Sequence, residues 1–262
     1  MEVLERKKET LIAKGDHEEI IAICDVLLQI DPLSKTAHVD RGDALSSLGR
    51  VDDAAAEYQY ALRADPNDRA VLNRLGLALM QLEQYSQAAQ AFDQGWKLDA
   101  SDLIMLDNKG RALLMGRDPV GALAAFDHAA QGDPSNASFH MDRGRALATQ
   151  GRYREAMDAL DRALELDPDS GEIWKLKGNV HFKTGDKADA VDCYSRAIGM
   201  GAETAVLLRS KGRAEEELGR LDDAFGSYSR AAELEEGDAV LWMNIGIVQA
   251  KLGKIAPRAT VR

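Results

Sequence analysis

The side chains that most often carry chemistry are few in this chain, and their spacing gives them little to do together. There are five histidines and two cysteines. His17 and His128 are isolated, His38 and His140 lie far apart, and His181 falls on the apolar stripe of its own segment. No pair has the short helical spacing of metal ligands. Cys24 and Cys193 make no disulfide framework. Gly-Arg-Ala-Leu occurs at Gly110 and again at Gly144. Both copies lie inside helical patterns rather than between a strand and a helix, so neither reads as a phosphate loop. The runs Glu215–Glu216–Glu217 and Glu235–Glu236 read as solvated surface. The expectation is a non-catalytic protein with no cofactor and no metal.

What would position any functional group is a repeat. The stretch Phe139–Pro168 reads as two amphipathic helices around a tight turn at Gln150–Gly151–Arg152, and shifting the chain by 34 residues returns the same pattern. Its clearest marker is a glycine in mid-helix, at Gly42, Gly76, Gly110, Gly144, Gly178, Gly212 and Gly246. Each costs about 1 kcal/mol relative to alanine. A repeated cost needs a repeated gain, and the gain expected is an approach of two helices too close to admit a side chain. Twelve residues after the glycines come Ala54, Ala88, Ala122, Ala156, Ala190 and Ala224. Four further on come Tyr58, Phe92, Phe126, Leu160, Tyr194 and Tyr228; three beyond those come Ala61, Gly95, Ala129, Ala163, Ala197 and Ala231. Those spacings put large and small residues on one helical stripe. Cys24 occupies the large position of the first repeat, so it reads as core. Pro32, Pro66, Pro134 and Pro168 close repeats, where proline ends one helix and opens the next.

This grammar resembles the tetratricopeptide repeat family. Trp174 and Trp242 take the family's large position four before the glycine, Leu75–Gly76 supplies its leucine–glycine pair, and the Ala, aromatic, Ala and Pro rows follow at the family's offsets. The resemblance covers essentially the whole chain. It implies an all-α fold, a TPR α-solenoid in which antiparallel helix pairs wind into a right-handed superhelix with first helices lining a concave groove. It also implies a scaffold that binds a protein or peptide partner. The expected array has a degenerate repeat at 1–34, with Lys8 in place of the glycine and Ile20 in place of the alanine. Full repeats follow at 35–68, 69–102, 103–136, 137–170, 171–204 and 205–238, then a half repeat and tail at 239–262. Its second helix would start near Ile255, before Pro257 and the last residue, Arg262. Two readings of that end stand open: a piece of a longer, even catalytic, polypeptide, or a face covered by self-association through the C-terminal helix, where Trp242, Ile245 and Val248 are expected bare.

Bulk properties exclude some classes. The 262-residue chain carries a net charge of -11, a poor basis for binding nucleic acid, whose affinity comes mainly from accumulated Lys and Arg. The first residues lack an apolar core of the signal-peptide kind, and no apolar run is long enough to span a membrane. A cytoplasmic location with no membrane contact is the expectation.

The candidate site follows from helical geometry. With the glycine as zero and about 100° per residue, packing positions fall at five and four before it and two and three after it. An opposite arc, which the resemblance places on the groove, holds positions six, three and two before and one and five after. In the first three repeats this arc carries Glu2, Glu5, Glu9, Asp40 and Asp43 against Arg6 and Arg74. In repeats four to seven it carries Arg111, Arg145, Lys175, Lys183, Arg209 and Arg213 against Asp107, Asp142, Glu172 and Glu217. An acidic half thus gives way to a mildly basic one, with Asn108 and Asn179 beside the bases. Arginine grips carboxylates bidentately and asparagine bonds peptide backbone. The expected site is therefore Asn108, Arg111, Arg145, Lys175, Asn179, Lys183, Arg209 and Arg213, and the expected ligand an acidic peptide or a C-terminal carboxylate. Some family members hold chaperone tails through a lysine–asparagine pair, which Lys175 and Asn179 match. Ser210, Val240 and Asn244 then depart from that pattern, which argues against chaperone tails.

Overall fold

Helix boundaries follow from local chemistry repeated every 34 residues. In the computed structural model, which describes residues 2–253 and, of Glu2 and Glu5, only the backbone, all regular structure among the described residues is α-helix. First helices of the repeats are α1 (Glu2–Lys14), α3 (Lys35–Ser47), α5 (Arg69–Gln81), α7 (Leu103–Met115), α9 (Ala137–Thr149), α11 (Gly171–Thr184), α13 (Ala205–Glu217) and α15 (Ala239–Lys251). Second helices are α2 (His17–Ile30), α4 (Val51–Ala64), α6 (Tyr85–Leu98), α8 (Pro119–Gly132), α10 (Tyr153–Leu166), α12 (Lys187–Gly199) and α14 (Leu221–Leu234). Short polar side chains open many of them. Ser34, Asp68, Asp102, Thr204 and Asp238 accept from backbone N–H groups of the first turn, satisfying donors that no helical carbonyl can reach. Pro119 sits in the first turn of α8 behind the cap Asp118, where its missing N–H costs nothing. Residues 254–262, including the expected second helix near Ile255, lie outside the described residues.

The turn between first and second helix needs one left-handed residue, and it too recurs every 34. Gly15, Gly49, Gly151, Gly185, Gly219 and Gly253 hold it with positive φ. Glu83 (φ 57°) and Arg117 (φ 65°) hold the same position without glycine's freedom.

The chain divides into two compact units, Met1–Asp133 and Pro134–Arg262. In the first, one continuous core runs from Leu11 through Cys24, Tyr58 and Phe92 to Ala112. In the second, Tyr194 and Tyr228 centre clusters that join α12 to α13 and α14 to α15. The mid-helix glycines are where second-helix side chains lodge. A Cβ on Gly42 would meet the Tyr58 ring at 2.7 Å, on Gly76 the Phe92 ring at 2.6 Å, and on Gly110 the Phe126 ring at 2.6 Å. In the second unit it would meet Leu160 from Gly144 at 2.8 Å, Tyr194 from Gly178 at 2.6 Å, and Tyr228 from Gly212 at 2.9 Å. The gain that offsets the glycines is thus a ring or a leucine pressed onto bare backbone. In the first repeat the smaller Cys24 takes the ring's place, and Lys8, itself buried, reaches Asp40 at 2.7 Å.

Two expectations fail. Glu215 is not solvated surface: it is 2% exposed, held by Lys211 Nζ at 2.5 Å and by the Ser227 hydroxyl, which donates to it at 2.6 Å. Its helix turns it inward at the packing position three after Gly212, and two donors make burial of the carboxylate tolerable. On α15, Ile245 and Val248 are not bare but buried, with Leu241, against α14; the exposed apolar side chains there are Val240, Trp242, Met243 and Ile247. The helix has apolar residues all round, so composition alone did not show which arc the neighbouring helix covers.

Candidate functional site

The eight expected site residues do not share one surface unit. Asn108 and Arg111 belong to the first unit; Arg145, Lys175, Asn179, Lys183, Arg209 and Arg213 belong to the second. In the first unit, Asn108 donates its amide to Asn73 Oδ1 at 3.4 Å, and Arg111 is paired with the buried Asp107 at 3.0 Å. Two acids of the expected acidic arc there are held in the same way. Asp40 is held by Lys8, and Asp43 accepts from the Tyr58 hydroxyl at 2.8 Å and pairs with Arg74 at 2.9 Å. The side chains of Glu2 and Glu5 lie outside the described residues.

In the second unit most of the expected bases already have acids. Arg145 contacts Asp142 at 3.5 Å and Glu172 at 3.3 Å, Lys175 pairs with Glu172, and Arg209 reaches Asp238 at 3.3 Å. Arg213 lies 3.3 Å from Glu217 and covers the Phe182 ring at 5.0 Å. Glu217 is also held by Lys187 at 3.0 Å. Partial burial pushes the Glu217 carboxyl up, but Lys187 and Arg213 together outweigh it and hold the group below its ordinary range. Lys183 differs: it is exposed, with no ion pair or hydrogen bond among the described residues.

Two adjoining cavities bring four of these residues together. One, of about 270 Å³, is lined by Gly144, Arg145, Tyr153, Leu176, Asn179 and Lys183 among others. The second, of about 290 Å³, is lined by Asn179, Phe182, Lys183, Tyr194, Ser210 and Arg213. Asn179 and Lys183 are shared; Lys175 and Arg209 line neither. The first cavity also has a shielded donor, Arg145 Nε, with no acceptor among the described residues. Asn179 is oriented from beneath. The Tyr194 hydroxyl, at the end of the ring lodged against Gly178, donates to Asn179 Oδ1 at 3.0 Å. Burial pushes the Tyr194 hydroxyl well above the ordinary phenol value, so it remains a donor. The Asn179 NH₂ is left to face the cavities with two N–H groups.

Some structural pairs escaped sequence reasoning. A base one before the glycine meets an acid 16 residues earlier on the preceding second helix: Arg41 with Asp25 at 2.9 Å, Lys109 with Asp93 at 2.6 Å, and Lys177 with Asp161. The signal was a spacing between two rows rather than within one. A second set is formed by ring nitrogens. His38, His140, Trp174 and Trp242 each lie at hydrogen-bond distance, 3.0–3.1 Å, from the carbonyl oxygen six residues back. The histidines and tryptophans at that position thus serve the loop between repeats. Among the described residues no cluster of three or more His, Cys, Asp or Glu has metal-binding geometry, and no helix is long and apolar enough to cross a membrane.

Residues 39–102 match a family model described as tetratricopeptide repeat, and residues 113–180 and 147–206 match a second model of the same description. The chain belongs to the tetratricopeptide repeat family. Its fold is an all-α solenoid, and this tetratricopeptide fold suggests a role in protein–protein interaction. Similar solved structures include a tetratricopeptide repeat protein from Parabacteroides merdae, 15% identical with a TM-score of 0.78 over 95% of this chain and 98% of that one. PilW, described as a widely conserved type IV pilus biogenesis factor, is 19% identical with a TM-score of 0.69, over 80% of this chain and 97% of its own. YrrB, described as a TPR protein with an unusual peptide-binding site, is 19% identical with a TM-score of 0.55, over 72% of this chain and 97% of its own. No curated protein matches the sequence.

Proposed function

We propose that this tetratricopeptide protein is a non-catalytic scaffold whose second unit binds an extended peptide bearing carboxylates. The observation that carries this reading is the pair of adjoining cavities sharing Asn179 and Lys183, flanked by Arg145 and Arg213. Asn179 presents an amide to a peptide carbonyl. Lys183 offers a cation not already committed to a neighbouring acid, and Arg145 lines the first cavity beside it. Arg213 would have to share itself between the ligand and Glu217, so its contribution is an exchange of partners rather than a new pair. Surface ion pairs contribute at most about 1 kcal/mol each. Specificity therefore rests on several such contacts together with the hydrogen bonds of the amide.

Fluorescence anisotropy of a labelled oligo-glutamate peptide with a free C-terminus tests the reading. Its amidated twin and an oligo-lysine peptide serve as controls. The acidic peptide is expected to bind and the lysine peptide not to. Asn179→Ala with Lys183→Glu should weaken binding about tenfold or more. An unchanged Kd in that double variant would sink the proposal. A lower affinity for the amidated peptide would place the terminal carboxylate in the site.

A further inference from the structure

The arc that carries Arg145, Asn179 and Arg213 continues onto α15, but its chemistry changes there. One residue after the mid-helix glycine, the row reads Arg145, Asn179, Arg213 and then Ile247. Six before the glycine it reads Ser138, Glu172, Val206 and then Val240. Three before, it ends in Met243. These late members are exposed: Val206 54%, Val240 48%, Met243 57% and Ile247 42%. They are not the core-facing side of their helices. On α13 and α15 that role belongs to Leu207, Leu208, Leu241, Ile245 and Val248, all buried. The apolar shelf therefore lies on the same arc as the basic positions, at the start of α13 and along α15 of the same unit.

Resting on the reading above, we infer that the ligand is bipartite. It is an extended peptide whose carboxylates meet Lys183 and Arg213, and whose neighbouring bulky apolar side chains lie on the shelf formed by Val206, Val240, Met243 and Ile247. Charge complementarity selects this occupant. Basic positions border the shelf, Arg209 and Arg213 on α13 and Lys251 four residues after Ile247 on α15, so a purely apolar segment would leave them unused and a purely acidic one would leave the shelf wet. Burying apolar side chains releases more free energy per group than an exposed ion pair. The shelf thus sets affinity and the basic cavities set register. A peptide in this groove is held by side chains rather than by added strands, because every helix here satisfies its own backbone.

The test compares two labelled peptides by anisotropy: consecutive glutamates followed by leucines, and the same peptide with serines for the leucines. Each is also made in the reverse order. In the wild-type protein one leucine peptide should bind about tenfold or more tightly than its serine twin. Val206→Ser with Ile247→Ser should abolish that difference while leaving the serine peptide's Kd unchanged. Both positions are exposed, and circular dichroism verifies that the variant folds. If serine and leucine peptides bind the wild type equally, or if the difference survives in the variant, the shelf is not part of the site, although the carboxylate reading stands. If neither peptide binds, both fail. Light scattering of the protein alone adds one further outcome. Concentration-dependent association that the double variant loses would assign the shelf to a second copy and overturn the inference.

Discussion

At Gly178 a single hydrogen in place of a methyl decides how two helices meet. A Cβ there would lie 2.6 Å from the Tyr194 ring, which is buried and cannot swing aside. Gly178→Ala is therefore expected to destabilise by about 1–3 kcal/mol through overpacking, more than the roughly 1 kcal/mol of helix propensity it gains. Gly246 occupies the same row, yet a Cβ there meets nothing within 4 Å among the described residues. Gly246→Ala should stabilise by about 1 kcal/mol. Urea unfolding followed by circular dichroism checks both, and two shifts of the same sign would remove the packing argument. The left-handed turn offers an independent test. Arg117 sits at φ 65° where six other repeats use glycine. Arg117→Gly should stabilise by up to about 1 kcal/mol, the relief of strain exceeding the entropy of the freer chain; a lower midpoint would show that the arginine side chain compensates locally.

Between elements, charged ladders tie two first helices, α3 and α5, to the next turn. Lys35 reaches Asp65 at 3.0 Å and Asp68 at 2.9 Å, while Arg69 reaches Asp99 and, at 3.1 Å, Asp102. Asp68 also caps α5 by accepting from Val71 N–H at 3.1 Å. Partial burial pushes its carboxyl up, but Lys35 and the backbone donors more than offset this, so it lies below the ordinary value in the folded protein. A lowered carboxyl stabilises above its unfolded value, and that contribution fades as pH falls through the folded one. Asp68→Asn keeps the cap and removes the charge. It should lower Tm by a few degrees at most at neutral pH. The gap to wild type should close in acid below the ordinary carboxylate range. A gap that persists there would mean the cap, not the charge, carries the effect.

For the whole molecule, charge and repeat grammar set different things. The net charge of -11 opposes general attraction to phosphates, so no gel shift of duplex DNA is expected at physiological salt. A shift abolished by Lys183→Glu would reassign the cavities to a nucleic-acid backbone. Binding of an acidic peptide should weaken as salt rises, because the bases that receive it are partly exposed. Much of this was legible in advance. The period, the glycine holes, the buried Cys24 and the position of Asn179 beside Lys183 all follow from helical offsets, since a residue's face on a helix is fixed by its place in the sequence. Less legible was the state of each charge. Arg111, Arg145 and Arg213 stand on the arc expected of them, but whether each meets an acid depends on rotamers and on residues 3 to 27 positions away.

The amino-acid order by itself thus determined the helices, their pairing and the family, because a strict 34-residue register leaves one way to bury the apolar stripes. Tertiary structure alone decided which polar groups remain available. It buried Glu215 against Lys211 and Ser227, paired Asp40 with Lys8 and Asp43 with Arg74 in the first unit, and turned Ile245 and Val248 inward. Lys183 was left exposed between two cavities and Asn179 was set by a tyrosine from below. The reason is physical: a periodic pattern fixes which side of a helix a residue occupies, whereas the distance from one charge to its nearest opposite is fixed only when the helices pack.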